Sequence, residues 1–317
     1  MNKKVKILII GYGSIGQRHY RNLKKLGYKN LWVYDVDASK LDDRGLKVVK
    51  NISDEALNGF EIAFICNPNH MHIKAALECA RAGCHLFIEK PLSHKTENVI
   101  KLANICQKNK LISMVACNMR FHPGLRFIKK YLEEKKLGKI YSLQLQTGYY
   151  LPYWRPKADY RKNYAAKKSM GGGIILDGIH NFDLLFWLNG FSKVKKSSLV
   201  YDKVSDLQIE TEDNFVAGFI FQNKVVGSVM GDYLQKAYSW TAKVVGKKGN
   251  LLWDFKENAI WLANEKGKKK IWSLSAYDTN KMYLEETKYF LNSIRNRKKT
   301  FNDINRAASV LKYCLKK

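Results

Sequence analysis

The segment KVKILIIGYGSIG, residues 4–16, restricts the fold more than any other part of the chain. Its uninterrupted apolar run predicts a buried strand, and a glycine-rich turn follows directly. The residues from 14 to 27 then carry helical periodicity and end on Gly27, as a helix C-terminus often does. A strand, a glycine turn and a helix in this order predict the start of a parallel sheet with helices on its faces.

The same alternation continues through the first third of the chain. Further strands are predicted over 30–35, 62–68, 84–91 and 111–117, and further helices over 70–83 and 96–110. Strands and helices in this rhythm indicate βαβ units with right-handed crossovers. We therefore expect an N-terminal Rossmann-type domain, with a doubly wound parallel sheet, over residues 1–122.

The pattern changes after this point to longer runs of alternating apolar and polar residues. Such runs cover 139–150, 214–233 and 240–255, and helical periodicity returns over 282–296 and 304–317. Period-two alternation is typical of antiparallel strands with one covered face. A chain of 317 residues suits two domains, so we predict a C-terminal α/β domain over 123–317 with a large, mostly antiparallel open sheet.

The bulk composition excludes several classes of protein. Hydrophobic residues make up 46% of the chain, which suits folded cores, and no stretch approaches the roughly 20 apolar residues of a membrane span. The six cysteines show no CxxC pair, which argues against a zinc site or a disulfide framework and favours reduced, mostly buried thiols. We expect a cytoplasmic protein without a metal.

The formal net charge of +28 is unusual, but its lysines are scattered through every segment. Without a recognition motif around them, the charge favours solvated lysine-rich faces over nucleic-acid or membrane binding. A substrate that carries phosphate remains compatible with it.

The sequence GYGSIG matches the GxGxxG pattern in the required strand-turn-helix context. Gly11 permits the tight turn, Gly13 lets the backbone approach a pyrophosphate, and Gly16 permits close helix packing. The free N–H groups at the helix start, around Ser14 and Ile15, suit the negative charge of that pyrophosphate.

Asp35 lies 19 residues after Gly16, at the end of the next predicted strand. A carboxylate there accepts hydrogen bonds from a ribose 2′-hydroxyl and repels a 2′-phosphate, so the sequence predicts NAD in preference to NADP.

Two later strand ends also carry polar residues. CNPNHMH supplies Asn67, Pro68 and His72, and EKP supplies Glu89 and Lys90. Ligands of open parallel sheets bind beyond the carboxyl ends of the strands, so we assign these residues to cofactor binding. Lys90 is also a catalytic candidate, because an ammonium beside a nicotinamide can bind a substrate hydroxyl and stabilise alkoxide charge.

These motifs resemble the Gfo/Idh/MocA family of glucose–fructose oxidoreductase and inositol dehydrogenase. The resemblance rests on GYGSIGQRH, CNPNHMH, EKP, NMRF at 118–121 and the block GGGIILDGIHNFD at 171–183, which occur in family order along the chain. It implies a Rossmann domain followed by an α/β domain whose open sheet often mediates oligomers, here a homodimer or homotetramer. It also places Asn118 and Arg120 in the substrate site.

The family typically places a lysine, an aspartate and a histidine around the substrate carbon that gives up hydride. Lys90 and His180 match directly, whereas Asp177 precedes His180 by three residues rather than the four of many members. Either spacing puts the pair on one helical face. His180 as the base with Lys90 orienting the hydroxyl, and the reverse assignment, both remain open. Asp183 is interpreted as a structural partner for a nearby cation.

The stretch GYYLPYWRPKADYRKNYAAKK, residues 148–168, is the predicted substrate loop. Aromatic faces suit a pyranose or a base, and arginine suits phosphate or carboxylate. Its candidate ligands are Tyr150, Trp154, Arg155 and Arg161, although the same aromatics would also suit a domain or oligomer interface. A sub-group of the family with the three-residue spacing carries a similar stretch and often accompanies cell-surface sugar synthesis.

The sequence thus predicts an NAD-dependent dehydrogenase of a sugar, polyol or nucleotide sugar. The alternative is a catalytically silent NAD-binding sensor or scaffold, which would not need Lys90, Asp177 and His180. The residues do not distinguish a free sugar from a nucleotide sugar, nor do they identify the carbon oxidised.

Overall fold

The computed structural model describes residues 3–41 and 45–315. The strands among them are β1 (Ile7–Ile10), β2 (Leu31–Tyr34), β3 (Lys47–Val48), β4 (Ile62–Ile65), β5 (His85–Ile88), β6 (Ser113–Val115), β7 (Ile140–Gly148), β8 (Val194–Asp202), β9 (Asn214–Phe221), β10 (Val226–Asp232), β11 (Ser239–Gly246), β12 (Gly249–Asp254), β13 (Ala259–Asn264) and β14 (Gly267–Ser273).

The α-helices in the same ranges are α1 (Ser14–Lys25), α2 (Asp54–Leu57), α3 (His72–Arg81), α4 (Val99–Lys108), α5 (Pro123–Glu133), α6 (Leu151–Trp154), α7 (Ile174–Asp177), α8 (Ile179–Leu188), α9 (Asn280–Arg295) and α10 (Ile304–Cys314). The described part of the chain divides into two compact units, one formed by its residues up to 118 together with 280–315 and the other by residues 119–279.

The first unit is built on a parallel sheet. Its six described strands run in the order β3-β2-β1-β4-β5-β6, and every pair is parallel. The strand order reverses between β1 and β4, so the carboxyl ends of these two neighbours border the crevice where such sheets bind ligands. The predicted doubly wound domain is confirmed.

The C-terminal helices complete the core of this first unit. Phe64 on β4 and Phe87 on β5 stack with ring centroids 4.7 Å apart, and Phe290 on α9 packs edge-on against both at 5.9 and 5.5 Å. The expected division at residue 122 therefore differs from the observed one, because residues 280–315 return to the first unit rather than extending the second. Apolar burial against β4 and β5 is the physical reason.

The second unit is built on an open sheet. Its eight described strands run in the order β14-β13-β12-β11-β7-β10-β9-β8, with β7 and β10 parallel and all other neighbours antiparallel. The predicted large, mostly antiparallel sheet is confirmed. Strands β8, β13 and β14 were not among the predicted elements.

Helix α8 covers one face of this sheet. Phe182 on α8 stacks on Phe215 of β9 at 5.5 Å, and a Cβ added at Gly227 of β10 would lie only 2.9 Å from Leu185. The helix thus lies directly against the strands, as its almost continuous apolar sequence requires.

Candidate functional site

The glycine turn after β1 has the geometry that a dinucleotide requires. Gly11 has φ of 93°, and a Cβ there would lie 2.4 Å from the backbone nitrogen of Asn67. A Cβ at Gly16 would lie 1.9 Å from the Gly11 carbonyl oxygen, whereas at Gly13 nothing comes within 4 Å of the added atom. The first and third glycines are therefore required by close packing, and the middle one borders open space.

The start of α1 offers backbone donors beside that space. Gly13 is its N-cap and no side chain caps the helix, so the amides that open α1, at Ser14 and Ile15, have no side-chain acceptor at this end. An uncapped helix N-terminus attracts a phosphate through its free N–H groups and its dipole.

Asp35 lies directly after β2 and is half-buried. Its Oδ2 accepts a hydrogen bond from the Tyr12 N–H at 2.6 Å, and its Oδ1 accepts one from the Asp37 N–H at 2.9 Å. The carboxylate is thereby held at the carboxyl edge of the sheet, next to the glycine turn, where the sequence predicted a ribose-binding acid.

The ends of β4 and β5 contribute to the same edge, with Asn67 and Pro68 after β4 and Glu89 and Lys90 after β5. The side-chain oxygen of Asn67 is buried and has no hydrogen-bond partner among the described residues. A buried acceptor without a donor is costly, so it fits a ligand that supplies an N–H or O–H. Lys90 is half-buried and begins a cis peptide with Pro91.

His72, a predicted cofactor ligand, is almost fully buried instead. Its Nδ1 lies 2.7 Å from the carbonyl oxygen of Pro91, and its Nε2 lies 2.8 Å from that of Asn67. Burial lowers the pKa of His72, and the contacts with the two carbonyls act in the opposite direction. Because both ring nitrogens contact the backbone, the imidazole packs between the segments after β4 and β5 and does not face a ligand.

Glu89, another predicted cofactor ligand, is also turned into the fold. Its Oε1 accepts from the His19 Nε2 at 2.7 Å, and its Oε2 accepts from the Lys90 N–H at 3.2 Å. Burial raises the pKa of Glu89, but the hydrogen bond and charge of His19, with smaller effects from Lys90, outweigh it and lower that pKa overall. Sequence reasoning missed His19, because its partner lies 70 residues away.

In the second unit, three tyrosine hydroxyls surround Asp177. Tyr149 donates to Oδ2 at 2.7 Å, Tyr164 donates to Oδ1 at 2.7 Å, and Tyr233 donates to Oδ2 at 3.2 Å. Burial, and then the charge of Asp177, raise the pKa of Tyr149 and Tyr233 well above 10. These two hydroxyls therefore stay protonated and donate to the Asp177 carboxyl oxygens.

The DGIH segment does not form one continuous helix, contrary to expectation. Helix α7 ends at Asp177, and α8 begins after Gly178. His180 is half-buried in the first turn of α8, and its ring centroid lies 5.9 Å from that of Trp240. Proximity along the chain, rather than a shared helical face, keeps Asp177 and His180 close.

Arg120, a predicted substrate ligand, forms a buried ion pair with Asp183. Its Nε donates to Oδ2 at 2.8 Å and its Nη2 donates to Oδ1 at 2.5 Å, with both side chains less than a tenth exposed. This bidentate contact corrects the prediction for Arg120 and confirms Asp183 as a structural partner of a cation. Asn118, from the same motif, is also buried.

The predicted substrate loop keeps part of its side chains accessible. Trp154 is 52% exposed, and its ring lies 4.5 Å from that of Tyr149, which binds Asp177. Tyr150 carries the Lys236 ammonium over its ring, and Arg155 is exposed. Arg161 differs, because its guanidinium binds Asp159 and Gln208 on the surface.

All six cysteines are buried and none of them forms a disulfide, as predicted for Cys66, Cys79, Cys84, Cys106, Cys117 and Cys314. In the described part of the chain, no cluster of three or more histidine, cysteine or acidic residues could hold a metal ion. No helix in that part is long and apolar enough to cross a bilayer.

Two family models match most of the chain. Residues 5–117 match the model described as oxidoreductase family, NAD-binding Rossmann fold, and residues 125–252 match the GFO/IDH/MocA C-terminal domain. The chain belongs to the Gfo/Idh/MocA family. Its first unit is therefore the NAD-binding Rossmann domain of these oxidoreductases, which confirms the expected type of cofactor.

Two dehydrogenases are among the proteins to which this chain is similar. Myo-inositol 2-dehydrogenase of Thermotoga maritima is 27% identical over 92% of this chain and 89% of its own length. Levoglucosan dehydrogenase of Pseudarthrobacter phenanthrenivorans is 34% identical, over 41% of this chain and 33% of its own length.

A solved structure of levoglucosan dehydrogenase with NADH and levoglucosan shares the fold. It is 18% identical with a TM-score of 0.84, and the match covers 99% of this chain and 97% of that one.

Proposed function

We propose that this protein is an NAD-dependent dehydrogenase that transfers hydride between nicotinamide and a hydroxyl-bearing carbon of a sugar, polyol or nucleotide sugar, in carbohydrate or surface-polysaccharide metabolism. Relatives that act on inositol and levoglucosan support the substrate class. The observation that carries the proposal is Lys90, a half-buried lysine at the sheet edge that also holds the glycine turn.

Four features of the first unit fit NAD. The open space at Gly13 and the uncapped start of α1 suit the pyrophosphate, Asp35 suits the adenosine ribose, and the buried oxygen of Asn67 suits a ligand donor. The carboxylate of Asp35 favours NAD over NADP, because it would repel a 2′-phosphate. When bound, NAD supplies a hydride acceptor.

The protein side chains then account for the proton. As the substrate carbon loses hydride, its hydroxyl oxygen must lose H⁺, and a base must accept it. We assign this role to His180, because imidazole is the side chain that most often serves as a general base, and we assign to Lys90 the orientation of the hydroxyl through its ammonium. In the reverse direction, the imidazolium returns the proton to the carbonyl oxygen.

Asp177 supports this chemistry without taking the proton. Three hydroxyl donors already bind its two oxygens, which therefore serve as hydrogen-bond acceptors. We therefore propose that Asp177 fixes the tyrosines beside His180 and accepts a neighbouring substrate hydroxyl. Tyr150, Trp154 and Arg155 remain the proposed contacts with the sugar.

The outer face of the open sheet supports a homo-oligomer. Registered positions across β8, β9 and β10 carry exposed apolar side chains, namely Val200, Val216 and Met230 in one row and Ile220 and Val226 in another. The row of Ser198, Gly218 and Ser228 lies between these two apolar rows. Exposed apolar groups gathered on one face in this way mark interaction surfaces. We propose that a second copy covers this face in a homodimer or homotetramer, and that Val216→Lys shifts sedimentation toward the monomer.

The direct test is turnover of the purified protein, followed as nicotinamide absorbance with NAD against sugars, polyols and nucleotide sugars. We expect turnover with one class and its loss in His180→Ala. The control is His85→Asn, which lies at the start of β5 and therefore at the sheet edge opposite Lys90. The asparagine keeps an acceptor for the Ile112 N–H. Stabilisation by NADH without turnover on any substrate would instead identify a silent NAD-binding protein.

A further inference from the structure

Two buried histidines hold the main chain on both sides of Lys90. His19 binds the side chain of Glu89, the residue before Lys90. His72 contacts the carbonyl oxygen of Pro91, the residue after Lys90. Both lie in the first unit, and both are at most 1% exposed. A long, flexible lysine side chain reaches a reproducible position only if its backbone origin is fixed.

The contact on the first side runs from His19 to the Lys90 amide. The His19 Nε2 donates to one carboxylate oxygen of Glu89 at 2.7 Å, and the other oxygen accepts the Lys90 N–H at 3.2 Å. The imidazole is itself held by aromatic rings, with centroids at 5.4 Å for Phe64 and 5.0 Å for Phe87. Helix α1, which starts at the glycine turn, is thereby coupled to the residue that follows β5.

The contact on the second side joins two strand ends. His72 opens α3, and its two ring nitrogens lie 2.7 and 2.8 Å from the carbonyl oxygens of Pro91 and Asn67. His72 thus lies between the segments after β4 and β5, where a neutral imidazole donates to one of these carbonyls and packs against the other. Asn67 carries the buried oxygen already assigned to the cofactor, so the same imidazole relates the cofactor contact to Lys90.

We propose that His19 and His72 are positioning residues, which set the placement of Lys90 relative to the cofactor without touching cofactor or substrate themselves. The consequence of this for catalysis rests on the proposed function, because it requires Lys90 to act on substrate. Supporting residues of this kind change rates by about 10–100-fold when they are removed.

The experiment compares His19→Leu with His19→Gln in the full-length protein. Leucine removes the bond to Glu89, whereas the glutamine amide can donate to the same oxygen. We expect His19→Leu to lower kcat by about 10–100-fold with little change in KM for NAD, and we expect His19→Gln to recover most of kcat. An unchanged kcat in His19→Leu, or no difference between the two variants, would overturn the proposal.

Hydrogen exchange followed by mass spectrometry gives a readout that does not need turnover. The peptide that contains residues 89–92 should exchange faster in His19→Leu than in wild type or His19→Gln, and His72→Leu should act in the same way. Unchanged exchange in this peptide overturns the positioning role even if wild type is active. If wild type shows no turnover but the peptide still exchanges faster in His19→Leu than in wild type, the positioning role is supported and the proposed reaction is rejected.

Discussion

Asp183→Ala tests the corrected role of Arg120. The sequence assigned Arg120 to the substrate, whereas the structure gives its guanidinium two hydrogen bonds to Asp183 in a buried environment. The two interpretations predict different losses. A substrate contact would change KM and leave folding intact, whereas a buried ion pair would change stability.

The magnitude follows from the burial of the pair. The side chains are 2% and 8% exposed, so removing the carboxylate leaves an arginine charge in a region with little water. Breaking such a pair from one side costs about 3–5 kcal/mol. At about 2–4 °C per kcal/mol for a unit of this size, the melting temperature should fall by roughly 6–20 °C.

The assay is calorimetric melting with urea unfolding as a second measure. Glu78→Ala is the matched control, because it removes the carboxylate from a partly exposed pair with Arg81 and should leave the melting temperature nearly unchanged. The double variant Arg120→Met with Asp183→Leu should recover much of the lost stability, since well-packed apolar residues often replace buried ion pairs without loss.

A structural role of the ion pair is refuted if Asp183→Ala melts like wild type, or if its only effect is a higher KM for substrate. Either result would return Arg120 to the substrate site.

Three further predictions follow from single positions. Burial lowers the pKa of His122 to about 4 from 6.5, so between these pH values the unfolded chain binds a proton that the folded chain does not. Stability should fall as pH falls, by up to roughly 3 kcal/mol from this group. Urea unfolding at pH 7 and pH 4 should show a smaller loss of unfolding free energy in His122→Asn than in wild type. The asparagine retains an acceptor for the Gly124 N–H. An equal loss in the two proteins would contradict the assignment. Gly13→Ala should melt normally but lose NADH binding by calorimetry, whereas Gly16→Ala should lower the melting temperature itself, and identical behaviour of the two variants would count against the turn geometry. Asp35→Ser should narrow the NAD to NADP ratio of kcat/KM by at least about tenfold, and an unchanged ratio would show that another residue selects the cofactor.

The fold could be predicted because its signals are local. The apolar run before Gly11 and the helical spacing after Gly16 lie within a few residues of each other, and they alone indicate a strand, a turn and a helix. Five helices begin and end within three residues of their predicted bounds, as for α9, predicted over 282–296 and observed over Asn280–Arg295. The short α2 and α6 and the longer α5 were not predicted. What local patterns did not show was that α9 belongs to the first unit.

The environment of the candidate site could not be predicted, because it is assembled from distant positions. Asp177 was identified from its motif, but its three partners come from residues 149, 164 and 233. Glu89 carries no local sign that a histidine 70 residues earlier binds it. Nor does the spacing of DGIH reveal that the helix breaks at Gly178. Tertiary packing decides each of these outcomes.

The return of α9 to the first sheet affects the order in which the protein can fold during synthesis. When the ribosome has made residues up to 118, Phe64 and Phe87 have no Phe290 to pack against. Residues 119–279 form one continuous stretch and can close their own sheet as soon as they emerge. The unit that is synthesised first is therefore completed last, and a chaperone that shields apolar surface would act on the N-terminal sheet until the C-terminal helices have been made.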